Sequence, residues 1–218
     1  MTKPETPTPR RGLFLSLDGP DGGGKTTQAA GLVDWLRGRG VDVVACRDPG
    51  GTPLGDRLRA ILLDRSELAI GLRAEMLMYM ASRAQLVEEV IRPALEAGKV
   101  VVSDRFLLAN VVYQGHAGGL PAEDVWRVGL GATGGLLPDL TLVIDVPPQV
   151  AGARVGAPRD RMEDRGDDFR RKVRSGFLRE LKTYPAPCLL IDGSADVEAV
   201  AAKIRSEVAR ALGLREGT

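Results

Sequence analysis

Short apolar runs alternate with longer segments of helical periodicity along most of this sequence. The runs are four to six residues long, are rich in Leu, Val and Ile, and predict buried strands. They lie at 13–17, 41–46, 100–103, 140–144 and 188–191. Helical patterns lie at 27–36, 53–63, 68–97 and 197–212. Strands separated by helical crossovers indicate an α/β protein, with a parallel sheet covered by helices on both faces.

A glycine-rich loop follows the first predicted strand. Residues 19–26, GPDGGGKT, fit the phosphate-binding pattern G-x-x-x-x-G-K-[ST] at every fixed position, and a predicted helix comes next. Backbone N–H groups and the helix N-terminus then converge on one point, where a di- or triphosphate binds. Lys25 is placed to reach the β- and γ-phosphates and the Thr26 hydroxyl to bind Mg²⁺. The sequence therefore predicts a P-loop NTPase fold. The predicted nucleotide-binding residues are Gly19, Pro20, Asp21, Gly22, Gly23, Gly24, Lys25, Thr26 and Thr27.

Polar residues also end later strands, at the edge where ligands collect in parallel sheets. The second strand is followed by RDPGGT at 47–52, and the third by Asp104 and Arg105. Beside a phosphate loop, Asp104 is a candidate to orient Mg²⁺ or its waters, and Arg105 to hold a second anion. Asp145 ends the fourth strand, but a single Asp there is more often a turn former or a helix cap.

Tyr79 and Arg83 are four residues apart on a predicted helix and therefore lie on one face. An aromatic residue at such a position is more often part of the core than a ligand contact. Aromatic residues make up only 4% of this chain, however, and this one is one turn from an arginine. We therefore hypothesise that Tyr79 stacks on a base and that Arg83 binds its phosphate.

Two segments are predicted to be mobile. Segment 115–121 is rich in glycine and contains His116, the only histidine, which we interpret as a loop residue. Segment 151–166 is rich in Arg, Asp and Gly and is predicted to be an exposed flap, or lid. Alone, it is typical of a solvated charged loop; beside a phosphate site it could close, exclude water and neutralise charge. Its candidate arginines are Arg154, Arg159 and Arg161.

The composition narrows the class of protein. The net charge is +1, so no strong field favours nucleic acid or an anionic membrane. Cys46 and Cys188 fall on separate predicted strands, which favours buried thiols in a reducing compartment over a disulfide or a metal site. Apolar runs are too short to span a membrane, and residues 1–11 predict a disordered lead-in rather than a signal peptide. We expect a cytoplasmic protein with one domain over 12–214.

The ordered set of motifs resembles the thymidylate kinase (dTMP kinase) family, from about Leu13 to Leu212. The phosphate loop is similar to the family's G-x-[DE]-G-x-G-K-[ST]-T. Further similarities, with the family's pattern in parentheses, are RDPGGT at 47–52 (R-E-P-G-G-T), YMASR at 79–83 (F-x-A-x-R), DRF at 104–106 (D-R-Y), VYQG at 112–115 (A-Y-Q-G) and DRME at 160–163 (D-R-x-E). The phosphate loop alone indicates an NTPase, whereas the whole set is far more specific.

The resemblance implies a five-stranded parallel sheet, a homodimer, and Mg²⁺-dependent transfer of the ATP γ-phosphoryl group to dTMP, giving dTDP for dTTP synthesis. On the acceptor side it implies that Tyr79 stacks on thymine, while Arg83 and Arg105 hold the dTMP phosphate. Asn110 and Gln114 would contact the base edge. The other implied substrate-binding residues are Arg47, Asp21 near the sugar 3′-hydroxyl, and Tyr113, which packs under the deoxyribose and disfavours a 2′-hydroxyl.

Some members of the family place a catalytic arginine inside the phosphate loop. This chain has Gly22 and Gly23 there instead and resembles the subgroup whose arginines come from the lid. The implied catalytic residues are therefore Lys25, Arg105, Arg154, Arg159 and Arg161, with Thr26 and Asp104 at the metal.

Three rival functions remain: a kinase for another nucleotide or deoxynucleoside, a GTP- or ATP-driven switch, and an inactive nucleotide-binding module. A GTPase would carry an N-K-x-D tetrad to read guanine, and this sequence has none. Neither kind of switch has an obvious use for an arginine-rich lid and a second anion site. Lys25 and Thr26 are both intact, which argues against an inactive module.

Overall fold

The computed structural model describes residues 12–64, 68–155 and 165–214, so the predicted N-terminal lead-in lies outside the described residues. Within these ranges, five strands form one parallel sheet in the order β2-β3-β1-β4-β5. The strands are β1 (Phe14–Asp18), β2 (Val43–Arg47), β3 (Val100–Asp104), β4 (Leu140–Asp145) and β5 (Cys188–Asp192). The predicted α/β class and parallel sheet are confirmed. The single-domain boundary at 12–214 stays a prediction.

Helices connect the strands and cover both faces of the sheet. They are α1 (Lys25–Arg37), α2 (Pro53–Leu63), α3 (Leu72–Leu86), α4 (Arg92–Glu96), α5 (Leu107–Asn110), α6 (Ala122–Thr133), α7 (Pro148–Val155), α8 (Gly166–Glu180) and α9 (Val197–Leu212). Two π-helical segments, Val87–Ile91 and Val111–Ala117, join α3 to α4 and follow α5. No described helix is long and apolar enough to cross a membrane.

Alternate side chains of the central strands point to opposite faces, and both faces are buried. Leu15 and Leu17 of β1 pack in one cluster with residues of α1 and α9, such as Leu32 and Ile204. Phe14 points the other way and packs with residues of α3, α5 and α6. Because each face is covered, the central strands are mostly apolar on both faces rather than alternating between apolar and polar residues.

The helix predicted over 68–97 is interrupted. It begins at Leu72 and passes through the π-helical segment Val87–Ile91 before α4. Pro93 has no N–H to donate to the carbonyl of Glu89, and its ring crowds that turn of an α-helix. A wider π-helical turn just before the proline accommodates both effects.

The prediction of a mobile loop at 115–121 is wrong for its first residues. Gly115 is buried inside a π-helical segment, and a Cβ there would lie 3.3 Å from the Ala122 Cα, so glycine allows the two segments to pack closely. His116 lies in the same segment rather than in a loop, and its Nε2 is 2.6 Å from Glu180 Oε1. The contact with α8 orders this stretch.

The predicted flap over 151–166 is also corrected at both ends, and at the far end Gly166 begins helix α8. Ala151 is buried, and 151–155 form the end of helix α7 rather than an exposed loop. The amide of Ala151 donates to the Pro147 carbonyl over 3.0 Å, which begins the helical turn. Residues 156–164, including Arg159 and Arg161, lie outside the described residues.

The two cysteines lie at opposite edges of the sheet, Cys46 on β2 and Cys188 on β5, and both are free. Both are half-buried, and burial raises the pKa of each thiol to about 12. Such thiols are protonated and unreactive at neutral pH. This agrees with structural rather than redox or metal-binding cysteines.

Candidate active site

The carboxyl ends of β1, β2 and β3 meet at one edge of the sheet, where Asp104 is in register with both Leu17 and Arg47. A cavity of about 410 Å³ opens at this edge. Most of the residues predicted to bind nucleotide or metal line it. These are Asp21, Gly22, Gly24, Lys25, Thr26, Thr27, Arg47, Tyr79, Arg83, Asp104, Arg105, Asn110, Tyr113 and Gln114.

The phosphate loop joins β1 to α1 in a backbone conformation that requires glycine. Gly19, Gly22 and Gly24 have φ angles of 134°, 78° and 84°. A Cβ on Gly22 would also lie 2.5 Å from the carbonyl oxygen of Ala151, so either the loop or the backbone of α7 would have to move. Helix α1 begins with no side-chain cap and no acidic residue in its first turn. Its first N–H groups and its dipole therefore favour a bound anion.

Lys25 is a buried cation in this loop, with 6% of its surface exposed. Its Nζ donates to the Pro20 carbonyl oxygen over 2.7 Å and lies 3.9 Å from Asp21 Oδ1. Burial, with repulsion from Arg105, lowers the pKa of Lys25 to about 8 despite the nearby carboxylates. The ammonium is therefore still mostly charged at neutral pH and is held where phosphate oxygens would meet it.

Thr26 and Asp104 come together from the loop and the end of β3. The Thr26 hydroxyl donates to Asp104 Oδ2 over 2.6 Å. A hydroxyl beside a carboxylate is a set of hard oxygen donors that suits Mg²⁺. In the described part of the chain, no group of three or more His, Cys, Asp or Glu side chains is arranged to hold a metal ion. This pair fits an ion whose other ligands are phosphate oxygens and water.

Arg105 lies between the phosphate loop and the acceptor side. It has an unusual positive φ of 69°, which turns the chain sharply after β3. Its Nη1 donates to the Gly19 carbonyl over 2.9 Å, and its Nη2 donates to Asp21 and, over 3.2 Å, to the Tyr113 hydroxyl. The Tyr113 hydroxyl in turn donates to Asp21 Oδ2 over 2.8 Å. The guanidinium is thus fixed before any ligand binds.

Charge stabilisation outweighs burial for two members of this cluster. Burial alone would raise the pKa of Asp21, but Arg105 and Lys25 more than offset it and the pKa lies below its usual value. Burial would likewise lower the pKa of Arg105, but Tyr113, Asp21 and the neighbouring carboxylates raise it. The pKa of the Tyr113 phenol is raised well above 10, first by burial. At neutral pH the cluster therefore holds one carboxylate, one guanidinium and a neutral phenol.

The far end of the cavity carries the residues predicted to contact the base. Arg83 is only 1% exposed, and its guanidinium donates to Asp48, to Asn110 Oδ1 and, over 3.4 Å, to the Phe106 carbonyl. Asn110 Nδ2 donates to Gln114 Oε1 over 2.6 Å. Burial raises the pKa of Asp48, although Arg83 opposes this shift, and one Asp48 oxygen has no hydrogen-bond partner among the described residues. Arg83 is therefore committed to protein groups beneath the cavity.

The sequence missed several residues of the site. Asp48 and Arg59 both line the cavity, and Arg59 donates to the Pro49 carbonyl over 3.0 Å. The spacing of Arg59 from the buried Gly55 and Leu62 on α2 is the signal that could have placed it on the inner face.

The structure places Arg154 and Asp145 in other contacts than those expected from the sequence. Arg154 is not among the cavity-lining residues; its Nη1 donates to the Gly193 carbonyl over 2.8 Å. Asp145, interpreted as a turn former or cap, instead makes a two-armed ion pair with Arg174 of α8, with both N–O distances 2.8 Å. This ion pair joins the end of β4 to α8.

Comparison with known proteins agrees with this geometry. A model of the thymidylate kinase family matches residues 17–204. The chain is 46% identical to a thymidylate kinase of Rhodopirellula baltica, over 90% of this chain and 80% of the relative. It is 48% identical to those of Caldanaerobacter subterraneus subsp. tengcongensis (87% of this chain, 91% of the relative) and Leifsonia xyli subsp. xyli (91% and 95%). With the phosphate loop and the cavity described above, these matches show that the chain belongs to the thymidylate kinase family.

Proposed function

We propose that the protein transfers the γ-phosphoryl group of ATP to dTMP, giving dTDP and ADP. One observation carries the proposal: in a chain of this family, a single cavity joins a phosphate loop to a pocket lined by an aromatic ring and side-chain amides. In the reaction, a dTMP phosphate oxygen bonds to the γ-phosphorus while the bond to the β,γ-bridging oxygen breaks. The product dTDP would then be a precursor of dTTP.

The donor side is the loop with its helix N-terminus. The backbone N–H groups of the loop and Lys25 would hold the β- and γ-phosphates, and Thr26 and Asp104 would hold Mg²⁺ with them. When bound, Mg²⁺ offsets negative charge on the phosphate oxygens. The contribution of the protein is mainly position and charge, because phosphoryl transfer needs little covalent help.

The acceptor phosphate lies nearer to Arg105 than to Arg83 in this proposal. Arg105 is fixed beside the phosphate loop by Asp21 and Tyr113, whereas Arg83 is buried against Asp48 and Asn110. We therefore assign the dTMP phosphate to Arg105, and Arg83 to the base end of the cavity. A phosphate monoester is largely ionised at neutral pH and needs no general base. His116 is accordingly not needed for catalysis, and it does not line the cavity.

The nucleoside would occupy the remaining space. Tyr79 would stack on thymine, and Asn110 and Gln114 would meet its edge. Tyr113 is held by Asp21 and by edge-to-face contacts with Phe169 and Phe177, at ring-centroid distances of 6.1 and 6.3 Å. A ring held this firmly is suited to pack under a deoxyribose and to crowd a 2′-hydroxyl.

Closure of the lid would supply the remaining positive charge. Gly22 and Gly23 leave the phosphate loop without an arginine, so Arg159 and Arg161 are the proposed cations, with Arg154 at the start of the lid. A closed lid would also exclude water and so suppress ATP hydrolysis.

We also propose a cytoplasmic homodimer. Helices α2, α3 and α6 pack side by side and expose Leu54, Ile61, Leu77 and Leu130. Large exposed apolar residues on one layer of helices are typical of a protein–protein interface. The exposed apolar side chains of these three helices would be buried between the two copies of the dimer.

The test of the activity is a coupled ADP-release assay with ATP, Mg²⁺ and each nucleoside monophosphate in turn. We expect the highest kcat/KM with dTMP. A higher value with another monophosphate, or ADP release that no monophosphate accelerates, would overturn the proposed reaction.

A further inference from the structure

We infer that Glu75 of α3 is a positioning residue that sets the orientation of the amides facing the base, and thereby the preference for thymine. The inference rests on the proposed function, because it concerns how that reaction chooses its acceptor. Glu75 does not line the cavity and is 1% exposed, so it acts through its neighbours rather than by touching a ligand.

Glu75 ends a chain of directional hydrogen bonds that starts at Arg83. The Arg83 guanidinium donates to Asn110 Oδ1, and Asn110 Nδ2 donates to Gln114 Oε1 over 2.6 Å. Gln114 Nε2 then donates to Glu75 Oε1 over 2.9 Å. The other Glu75 oxygen accepts from Arg165 Nη2 over 2.7 Å. This series of hydrogen bonds thus has a charged side chain at each end, Arg83 at one and Glu75 at the other.

The two ionic ends fix the direction of every bond between them. A guanidinium can only donate and a carboxylate can only accept, whereas an Asn or Gln amide could present either its oxygen or its nitrogen. With Arg83 at one end, Asn110 must turn its oxygen toward the guanidinium. With Glu75 at the other end, Gln114 must turn its nitrogen toward the carboxylate. Reversal of either amide would place two donors, or two acceptors, against each other.

Fixed amides present a fixed pattern of donors and acceptors to the cavity, which both Asn110 and Gln114 line. Each amide uses one N–H donor and one oxygen lone pair in this series of hydrogen bonds. Its second N–H and second lone pair can bond a ligand. Thymine offers an acceptor at O4 and a donor at N3, while cytosine reverses both. If the amides could turn freely, they could match either thymine or cytosine, and neither base would leave an unpaired donor or acceptor. The site would then discriminate less between the two bases.

Arg165 ties these hydrogen bonds to the C-terminal end of the predicted lid segment, 151–166. It lies directly before α8, at the first described residue after 164, and its guanidinium is also 4.9 Å from the Phe169 ring. The ion pair with Glu75 thus joins helix α3, which carries Tyr79, to the start of helix α8. The Glu75 carboxylate therefore contacts both Gln114, which lines the cavity, and Arg165, at the start of α8.

The test is Glu75→Gln in the full-length protein, with Glu180→Gln as the matched control. Glu180 is also buried, at 5% exposed, and accepts from Trp126 Nε1 over 3.0 Å. Unlike Gln114, which Glu75 holds, neither Trp126 nor His116, the other side chain hydrogen-bonded to Glu180, lines the cavity. A glutamine at 75 can donate as well as accept, so Gln114 is no longer held in one orientation. We expect KM for dTMP to rise about tenfold, and the kcat/KM preference for dTMP over dCMP to fall about as much. The KM for ATP should change little, and Glu180→Gln should leave both substrates' KM unchanged.

A double-mutant cycle with Gln114→Met separates positioning from general loosening. If Glu75 acts through Gln114, Glu75→Gln adds almost nothing to KM for dTMP once Gln114 is replaced. Full additivity, or equal effects on dTMP and ATP, would overturn the inference. Should Glu75→Gln fail to fold, Glu75→Asp replaces it, since the shorter side chain withdraws the carboxylate from Gln114 Nε2. The same selective rise is expected, and its absence overturns the inference.

Wild-type assays distinguish failure of this inference from failure of the proposed function. If the wild-type protein does not phosphorylate dTMP, the proposed function fails. If it does, and Glu75→Gln behaves like Glu180→Gln, only the role of Glu75 fails.

Discussion

The ammonium of Lys25 lies 2.7 Å from the carbonyl oxygen of Pro20, within the loop that precedes its own helix. The loop therefore supplies an acceptor for a cation that burial makes costly to keep charged. The same burial lowers the pKa of this lysine from 10.5 to about 8. Two predictions concern this residue.

Lys25→Ala should abolish phosphoryl transfer without unfolding the protein, because the side chain contacts loop atoms rather than the apolar core. Loss of one preorganised stabiliser of developing charge costs about 100-fold or more in kcat. Steady-state kinetics with dTMP, together with a thermal melt, test this. A variant with near-normal turnover would show that the phosphate-loop assignment is wrong.

Lys25 should also make stability depend on pH above neutrality. The folded protein binds this proton more weakly than the unfolded chain, so the charged form disfavours folding. Relative to Lys25→Met, the wild-type stability should be constant below pH 8 and rise between about pH 8 and 10.5, by an amount on the order of 3 kcal/mol. Urea unfolding of both proteins from pH 7 to 10 measures the difference, and a difference that stays flat contradicts the prediction.

Tyr79→Ala should raise KM for dTMP more than KM for ATP. Stacking on a base is worth about 1–3 kcal/mol, which corresponds to roughly a 5- to 150-fold loss of binding. Tyr79→Phe keeps the ring and is the control, with KM close to wild type. If Tyr79 served only the core, the alanine variant would melt at a lower temperature with KM for dTMP unchanged.

Changing Arg154, Arg159 and Arg161 together to Ala should lower kcat while dTMP affinity changes much less. An arginine that stabilises a transferring phosphoryl group is worth about 10³–10⁵ in rate. Because Arg154 donates to the Gly193 carbonyl, we expect the Arg159→Ala, Arg161→Ala pair to account for most of the loss. Steady-state kinetics and calorimetric titration with dTMP separate the two effects. If the kcat of the triple variant is within about threefold of the wild-type value, the lid arginines are not catalytic, because such an arginine should change kcat by about 10³–10⁵. The lid would then be only a solvated charged loop.

Leu77→Arg should convert the proposed homodimer to a monomer. Leu77 is 53% exposed on α3, and a charged side chain within the proposed apolar interface would be buried without a partner. Val197→Arg is the control, because Val197 is 63% exposed on α9, away from the proposed interface. Sedimentation equilibrium of the three proteins checks this. A wild-type protein that sediments as a monomer refutes the dimer.

The strands and the phosphate loop could be predicted because their signals are local. A buried parallel strand needs only a short apolar run, and the loop needs glycines and Lys25 at fixed offsets. The same logic placed Asp104 and Arg105 together with the loop, since parallel strands end at one edge of the sheet.

Helix α8 and the partners of buried charges could not be predicted in the same way. Its apolar positions Phe169, Val173 and Phe177 recur every four residues, but mostly charged residues surround them and obscure the pattern. The pairing of Glu75 with Arg165 joins positions 90 residues apart. Nothing local in the sequence marks a glutamate as buried, because only the tertiary fold supplies the cation that makes burial tolerable.

The close approach of Gly22 to Ala151 has a consequence for how this enzyme could have diverged. A side chain at position 22 would meet the α7 backbone, so the loop cannot gain an arginine there unless the helix leading into the lid moves away. An arginine at position 22 is therefore sterically incompatible with the present position of α7. A loop arginine at this position could arise only if α7 shifted with the loop, and the single substitution by itself would be strained, because Gly22 has a φ of 78°.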